Sequence, residues 1–471
     1  MFCFLRNSVM LGCVLLISAC VSSPPFSVPV MPVPVTLDPV FMDHMVLQRG
    51  LPVHVWGKAN PGEPVKVLFS GKTVRAVADA AGNWSAMLPS LKASDKPCKL
   101  VVQGHNEASV GDILVGEVWL CSGQSNMEWG LLGVSSGKKD CAAAHYPSLR
   151  LFSVDKVSTN IPLATFKGTK GWVVCSPETL VQVGSHSQSF SATAFYFGRD
   201  LQAKLGVPVG LIQSAWGGTR IEPWIPQKQS GNNFKSYYNA MIAPMTPMTI
   251  RGAIWYQGES NLGDKGAYEQ KMKDLISAWR AVFARPDMPF YFVEIAPFRY
   301  GKGDPAALGE LRAAQARVAA TVPHTGMIHT LDIPNDVGNI HPDNKPQTGA
   351  RLARLALAGT YGIDRGKSVV GPVFTSAKHK AGGILVEFKD TADALMTSDN
   401  KAPTGFEAQV SDAGTNAPWV KAEAAIQGDR VLVTVPGKVP VAVRFCWLET
   451  AQTNLRNAEG LPPSPFLTTL D

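Results

Sequence analysis

Between Gly111 and Leu357, apolar runs of strand length alternate with longer stretches of helical spacing. Val115–Cys121, Val209–Trp216, Ile250–Tyr256, Phe290–Ala296 and Gly326–Ile333 read as strands. Ser191–Leu205, Lys265–Phe283, Ala307–Val322 and Pro346–Leu357 read as helices, the first stopped by Gly206 and Pro208. Repeated strand–helix units of this kind build a three-layer α/β/α fold, with a parallel sheet and helices on both faces. Such a sheet binds ligands beyond the carboxyl ends of its strands.

The flanks carry a different pattern. From about Leu37 to Val110 the signals are short and β-like: Val53–Gly57 alternates, Val65–Phe69 follows the turn Pro61-Gly62, and Trp84–Leu88 follows Ala81-Gly82-Asn83. Strands at this spacing predict a small β-sandwich. After about Lys367 the helical pattern stops, and Gly383–Phe388 and Arg430–Val435 read as strands, with a polar loop over Asp390–Thr404. The expected division is an N-terminal β-sandwich over 37–110, an α/β domain over 111–366 and a C-terminal β-rich module over 367–471.

The first twenty residues read as a processing signal. Arg6 is the lone positive charge ahead of the apolar stretch Val9–Ile17, which is too short to span a bilayer. The sequence Ile17-Ser18-Ala19-Cys20 resembles the bacterial lipoprotein box. That resemblance implies cleavage before Cys20 and acylation of it. The protein would be exported and lipid-anchored, in the periplasm or at the outer membrane or cell surface. Residues 21–36, rich in Pro, Ser and Val, would then be a tether. A plain secretory signal is the alternative.

Beyond Cys20 there are five cysteines, Cys98, Cys121, Cys141, Cys175 and Cys446. An odd number leaves at least one free unless it pairs between chains. Most are expected to be buried thiols, with Cys141–Cys175 the expected pair if one forms. No His/Cys/Asp/Glu group has metal-ligand spacing, so no metal and no cofactor are expected. The net charge of +7 comes without a run of Lys/Arg interleaved with aromatics, which argues against nucleic acid as a partner.

Chemistry-bearing residues fall at one edge of the predicted sheet. The first strand is followed by Gly123-Gln124-Ser125-Asn126-Met127, the second ends in Trp216-Gly217-Gly218-Thr219-Arg220, and the third is followed by Gln257-Gly258-Glu259-Ser260-Asn261. Asn339-Ile340-His341-Pro342 follows the last. An acyl-transfer site needs a hydroxyl to attack a carbonyl, an imidazole to take and return its proton, and N–H donors for the developing oxyanion. Taken singly, a Ser at a strand-to-helix turn is usually an N-cap, and an Asn after a strand is usually a turn residue. Their conjunction at one edge is what points to chemistry.

These four segments resemble the blocks of sialate O-acetylesterases, a group of SGNH hydrolases with a flavodoxin-like sheet. Met45–Gly50 and Asn454–Pro462 also look like that family, so the resemblance runs from about Pro39 to the C-terminus. It implies Ser125 as nucleophile and His341 as base. It also implies an oxyanion hole built from the Ser125 N–H, the Gly217-Gly218 turn and the Asn261 side chain, with Gln257 and Arg220 as substrate contacts. For Arg220 the alternative is a structural ion pair with Glu222 or Glu259. Many family members carry an Asp three or two residues before the His, and those places here are Gly338 and Asn339. Asp336, Asn339 or a main-chain carbonyl then remains to orient the imidazole.

The resemblance implies an O-acetylesterase acting on an acetylated sugar, sialic acid first. Two alternatives are an acetylesterase of plant polysaccharides such as xylan or xyloglucan, and a non-catalytic carbohydrate-binding lipoprotein. Oligomeric state is not legible.

Overall fold

The computed structural model describes residues 33–470 apart from 185–186, 227–235, 365, 381 and 411–416. The expected signal segment, Cys20 and most of the expected tether lie outside the described residues. Among the described residues, no helix is long and apolar enough to cross a membrane.

The central sheet runs, from edge to edge, Thr169–Cys175, Tyr146–Val154, Val209–Ala215, Glu107–Gly123, Gly252–Tyr256, Phe290–Val293 and Thr325–Ile328. All neighbours are parallel except the first pair, which is antiparallel. Chain order moves to one side of Glu107–Gly123 and then to the other. The crevice beside this strand is therefore a topological switch point, where sheets of this type place their ligands.

The strands are apolar without alternation because both faces are covered. Trp119 in the central strand meets Phe197 of helix Ala192–Leu205, while Trp255 in the neighbouring strand meets Trp279 of helix Tyr268–Val282 on the opposite face. Helix Lys345–Gly359 packs beside Ala192–Leu205, and helix Ala307–Thr321 beside Tyr268–Val282. Helix Ala192–Leu205 starts where the Ser191 hydroxyl accepts the Ala194 N–H and stops at Gly206, in the left-handed region at φ 64°. The predicted three layers are thus present.

One long strand runs across the expected N-terminal boundary. The central strand begins at Glu107, and its first part pairs antiparallel with Ser94–Gln103 before its last part joins the parallel sheet. Val46–Gln48 pairs with Leu114–Gly116 of the same strand. The strand passes through Gly111 without a break, and the apolar cores of the two regions form one cluster. Buried Glu117 fastens the junction by accepting from Gln48, Arg49 and Arg251.

The C-terminal part differs. Two four-stranded antiparallel sheets, one built on Gly383–Lys389 and one on Pro440–Phe445, enclose their own core. Phe374, Phe388, Phe406, Phe445 and Phe466 meet there ring to ring. This module touches the chain just before His341: Gln452 donates to the Pro334 carbonyl and Arg456 pairs with Asp332.

The five cysteines beyond Cys20 are free thiols. The expected Cys141–Cys175 bond is not formed; the Cys141 Sγ instead faces the Pro177 carbonyl at 3.7 Å. Burial pushes the Cys175 thiol up to about 12.

Candidate active site

Gly123 ends the central strand at φ 141°, and a Cβ there would lie 2.2 Å from the Tyr256 carbonyl oxygen. Only glycine lets the chain turn out of the sheet against its neighbour at this point. The Gln124 N–H then takes up that Tyr256 carbonyl, and helix Ser125–Glu128 begins. Ser125 is the first residue of this turn, so its N–H has no acceptor within the helix.

Two side chains near Ser125 hold the turn in place. Ser191 Oγ donates to the Met127 carbonyl. Fully buried Glu128 accepts the Gly217 N–H at 2.7 Å and pairs through its other oxygen with Lys156. Gly217 lies so close that a Cβ would stand 3.2 Å from both the Ser125 Cβ and the Glu128 carboxylate. Gly218 follows at φ 74°, with open space where a side chain would be. The two predicted glycines therefore separate. The Gly217 N–H is spent on Glu128, whereas Gly218 has open space on its side-chain face.

His341 comes from the opposite side and lies against the same turn. Asn126 Nδ2 donates to the carbonyl of Ile340, the residue before it, at 3.0 Å. Trp129, one turn beyond Ser125, stacks on the imidazole at 4.0 Å between ring centroids and 20° between planes. The loop before His341 turns on itself: Asp336 Oδ1 accepts the Gly338 N–H at 2.7 Å, and Asn339 Oδ1 accepts the His341 N–H at 3.0 Å. Both candidate orienting residues thus have a share in shaping the loop.

Gln257, Asn261 and Arg220 are each engaged by other protein groups. Buried Gln257 donates to the Thr219 carbonyl and to Asn261 Oδ1, and accepts from Tyr268. Asn261, equally buried, also accepts the Ile221 N–H at 2.9 Å, while its Nδ2 donates to Asp264 at 2.6 Å and Glu222 at 3.2 Å. Both ends of the Asn261 amide are hydrogen-bonded within the protein, the oxygen to the Ile221 N–H that follows Arg220. A strand-end position does not tell whether a side chain faces the crevice or turns back into the sheet.

Arg220 is ion-paired with Glu222 and Asp264, not with Glu259. Lys271 completes the cluster. Burial opposes ionisation of Glu222 and Asp264, but hydrogen bonds outweigh it and hold both at about 2. They come from Arg220 and Lys271, and for Asp264 most of all from Asn261. Glu128 and Trp129 were not anticipated, although both sit within four residues of Ser125. Among the described residues, no group of three His, Cys, Asp or Glu side chains could hold a metal ion.

Residues 115–358 match the family described as carbohydrate esterase, sialic acid-specific acetylesterase. The human sialate O-acetylesterase (Homo sapiens) is 30% identical over 366 residues, covering 68% of this chain and 69% of that protein. The mouse sialate O-acetylesterase (Mus musculus) is 27% identical over 506 residues, 90% of this chain and 92% of that protein. Among solved structures, a carbohydrate acetylesterase from Xanthomonas citri superposes with a TM-score of 0.84 at 36% identity, covering 92% of this chain and 99% of that one.

Proposed function

The chain belongs to the sialic acid-specific acetylesterase family of carbohydrate esterases and is a serine ester hydrolase, and on that premise we propose that it removes O-acetyl groups from sugars through an acetyl-enzyme at Ser125. Ser125 Oγ attacks the acetyl carbonyl while His341 takes its proton. The N–H groups of Ser125 and Gly218 receive the negative charge that forms on the carbonyl oxygen. His341 returns the proton to the departing sugar hydroxyl. In the second half the same imidazole activates water, acetate leaves, and the Ser125 hydroxyl is restored.

The observation that carries this reading is the meeting of two distant segments. The turn that begins at Ser125 and the loop that ends at His341 are joined by the Asn126–Ile340 hydrogen bond and the Trp129–His341 stack. Acetylated sialic acid is the first substrate proposed, because the curated relatives are sialate O-acetylesterases. Arg220 does not by itself favour an acidic sugar, since Glu222 and Asp264 already neutralise it. A sialate carboxylate would compete with them.

The test is a panel of O-acetylated sialic acids beside acetylated xylan and xyloglucan oligosaccharides, with acetate release and the deacetylated product identified. Preference for the sialic acids supports the proposal. Turnover of the neutral glycans alone moves the substrate to plant polysaccharides, and no acetate from any member overturns the enzymatic reading.

A further inference from the structure

We propose that Asn126, clamped between Lys345 and Glu259, is a positioning residue that holds the His341 loop over Ser125. This rests on the reading of Ser125 as nucleophile and His341 as base. Two segments far apart in sequence, one at Glu259 and one at Ile340–Lys345, meet at the buried side-chain amide of Asn126. Asn126 Nδ2 donates to Glu259 Oε1 at 2.5 Å and to the Ile340 carbonyl at 3.0 Å, and Asn126 Oδ1 accepts from Lys345 Nζ. Its own carbonyl accepts from Thr193 Oγ1 at 3.2 Å.

The chemistry explains why an amide is needed. Asn carries an acceptor and a two-proton donor on one rigid group, so it serves an ammonium on one side and a carboxylate and a carbonyl on the other. Asp would accept only; it would lose Ile340 and face Glu259 with like charge. The partners are set firmly. Lys345 is fully buried at the start of helix Lys345–Gly359, four residues after His341, and its ammonium lies 5.1 Å from the centre of the Tyr256 ring. Glu259 is also buried, three residues after the end of the strand that carries Tyr256.

Burial works against charge on both partners, pushing Lys345 down to about 7 and the Glu259 carboxyl above its ordinary range. A buried pair of this kind is a poor source of stability and is best attested as a device that fixes one arrangement. Here the arrangement it fixes is the distance between the nucleophile turn and the residue before the base.

A double-mutant cycle on the full chain tests this. The values of kcat and KM for p-nitrophenyl acetate are measured for the parent, Asn126→Ala, His341→Ala and the double variant. A residue that acts through His341 costs nothing further once His341 is gone. Misplacement of about 1 Å can cost ~10²-fold in rate, so Asn126→Ala is expected to lower kcat by about 10- to 100-fold with KM little changed. In the His341→Ala background the same change is expected to cost under about 3-fold.

Equal losses in both backgrounds, or none in the parent, overturn the proposal. Should Asn126→Ala fail to fold, the paired change Glu259→Gln with Lys345→Met enters the same cycle, since it removes both buried charges together. The underlying reading fails separately: Ser125→Ala with full turnover sinks the nucleophile assignment. A dead Ser125→Ala beside an unaffected Asn126→Ala sinks only the positioning role.

Discussion

The proposed nucleophile and the proposed base are held by opposite means. Ser125 leaves a strand that lies in the middle of the sheet, and the residues around it, Gly123, Asn126, Met127 and Glu128, are buried and bonded to three other segments. His341 ends a loop whose residues Asn335, Asp336, Gly338 and Asn339 are exposed and which bonds mainly to itself. It is steadied from outside by Trp129, by Asn126 and, further back, by the C-terminal module at Pro334 and Asp332. In the proposed mechanism the sheet thus fixes the attacking atom, while the proton carrier sits at the end of an exposed loop. That division suits the chemistry, because the imidazole must serve two partners in turn, the Ser125 hydroxyl and the leaving oxygen.

The largest effect should erase the difference between the two sides. Ser125→Ala and His341→Ala are each expected to lower kcat by about 10⁴- to 10⁶-fold on an acetyl ester, because nucleophile and base act as a unit. Combining them should cost nothing more. Both variants should remain folded by circular dichroism. A His341→Ala enzyme within tenfold of the parent would mean that another group takes the proton.

Asn261→Ala sharpens the contrast between scaffold and chemistry. Its removal orphans the buried Ile221 N–H and one of the two Gln257 Nε2 protons, each costing roughly 1–3 kcal/mol. The unfolding free energy should therefore drop by about 2–4 kcal/mol, measurable in urea, and protein that is still folded should keep most of its kcat. Unchanged stability with a loss of about 10²–10³ in kcat would restore Asn261 as an oxyanion donor.

Trp129 probes the loop side alone. Stacked ring pairs contribute about 0.5–1.5 kcal/mol beyond area burial. Trp129→Leu should thus lower kcat by roughly 2- to 10-fold, and Trp129→Phe should recover most of it. If Phe and Leu are equally impaired, ring stacking is not what steadies His341, and the indole's bond to the Gly133 carbonyl takes its place.

The same asymmetry explains what the sequence could disclose. Long apolar strands and capped helices between Gly111 and Leu357 were legible because period and caps are local properties. Tyr146–Val154 and Thr169–Cys175 were not anticipated; they form the antiparallel edge of the sheet and carry no strand–helix signature. The change of pattern near Gly111 falls within one strand, whose pairing partners change along its length. Ser125 and His341 were singled out by their motifs, and the fold brings their two segments together. The roles of Glu128, Asn126 and Lys345 were hidden because a motif places a residue at an edge without saying which way its side chain turns.

The smallest expected effect concerns the carboxylate that the loop lacks at the usual places. Asp336→Asn should change kcat less than about 2-fold, since substitutions at exposed loops usually cost under ~0.5 kcal/mol. The physical ground is specific: Asp336 Oδ1 is engaged by the Gly338 N–H, and the carbonyl oxygen of an Asn side chain can accept that bond equally well. Were Asp336 the group that orients the ring, its loss should instead cost on the order of 10⁴ in kcat. Asn339→Asp is the companion. An Asp oxygen can still accept the His341 N–H, so the turn is kept while a negative charge is added two residues from the imidazole. A charge that reaches the ring favours its protonated form and moves the acid limb of the pH–rate profile to higher pH. A profile unmoved in both variants would place the carboxylates outside the reaction and leave a main-chain carbonyl as the orienting partner of a Ser125–His341 dyad.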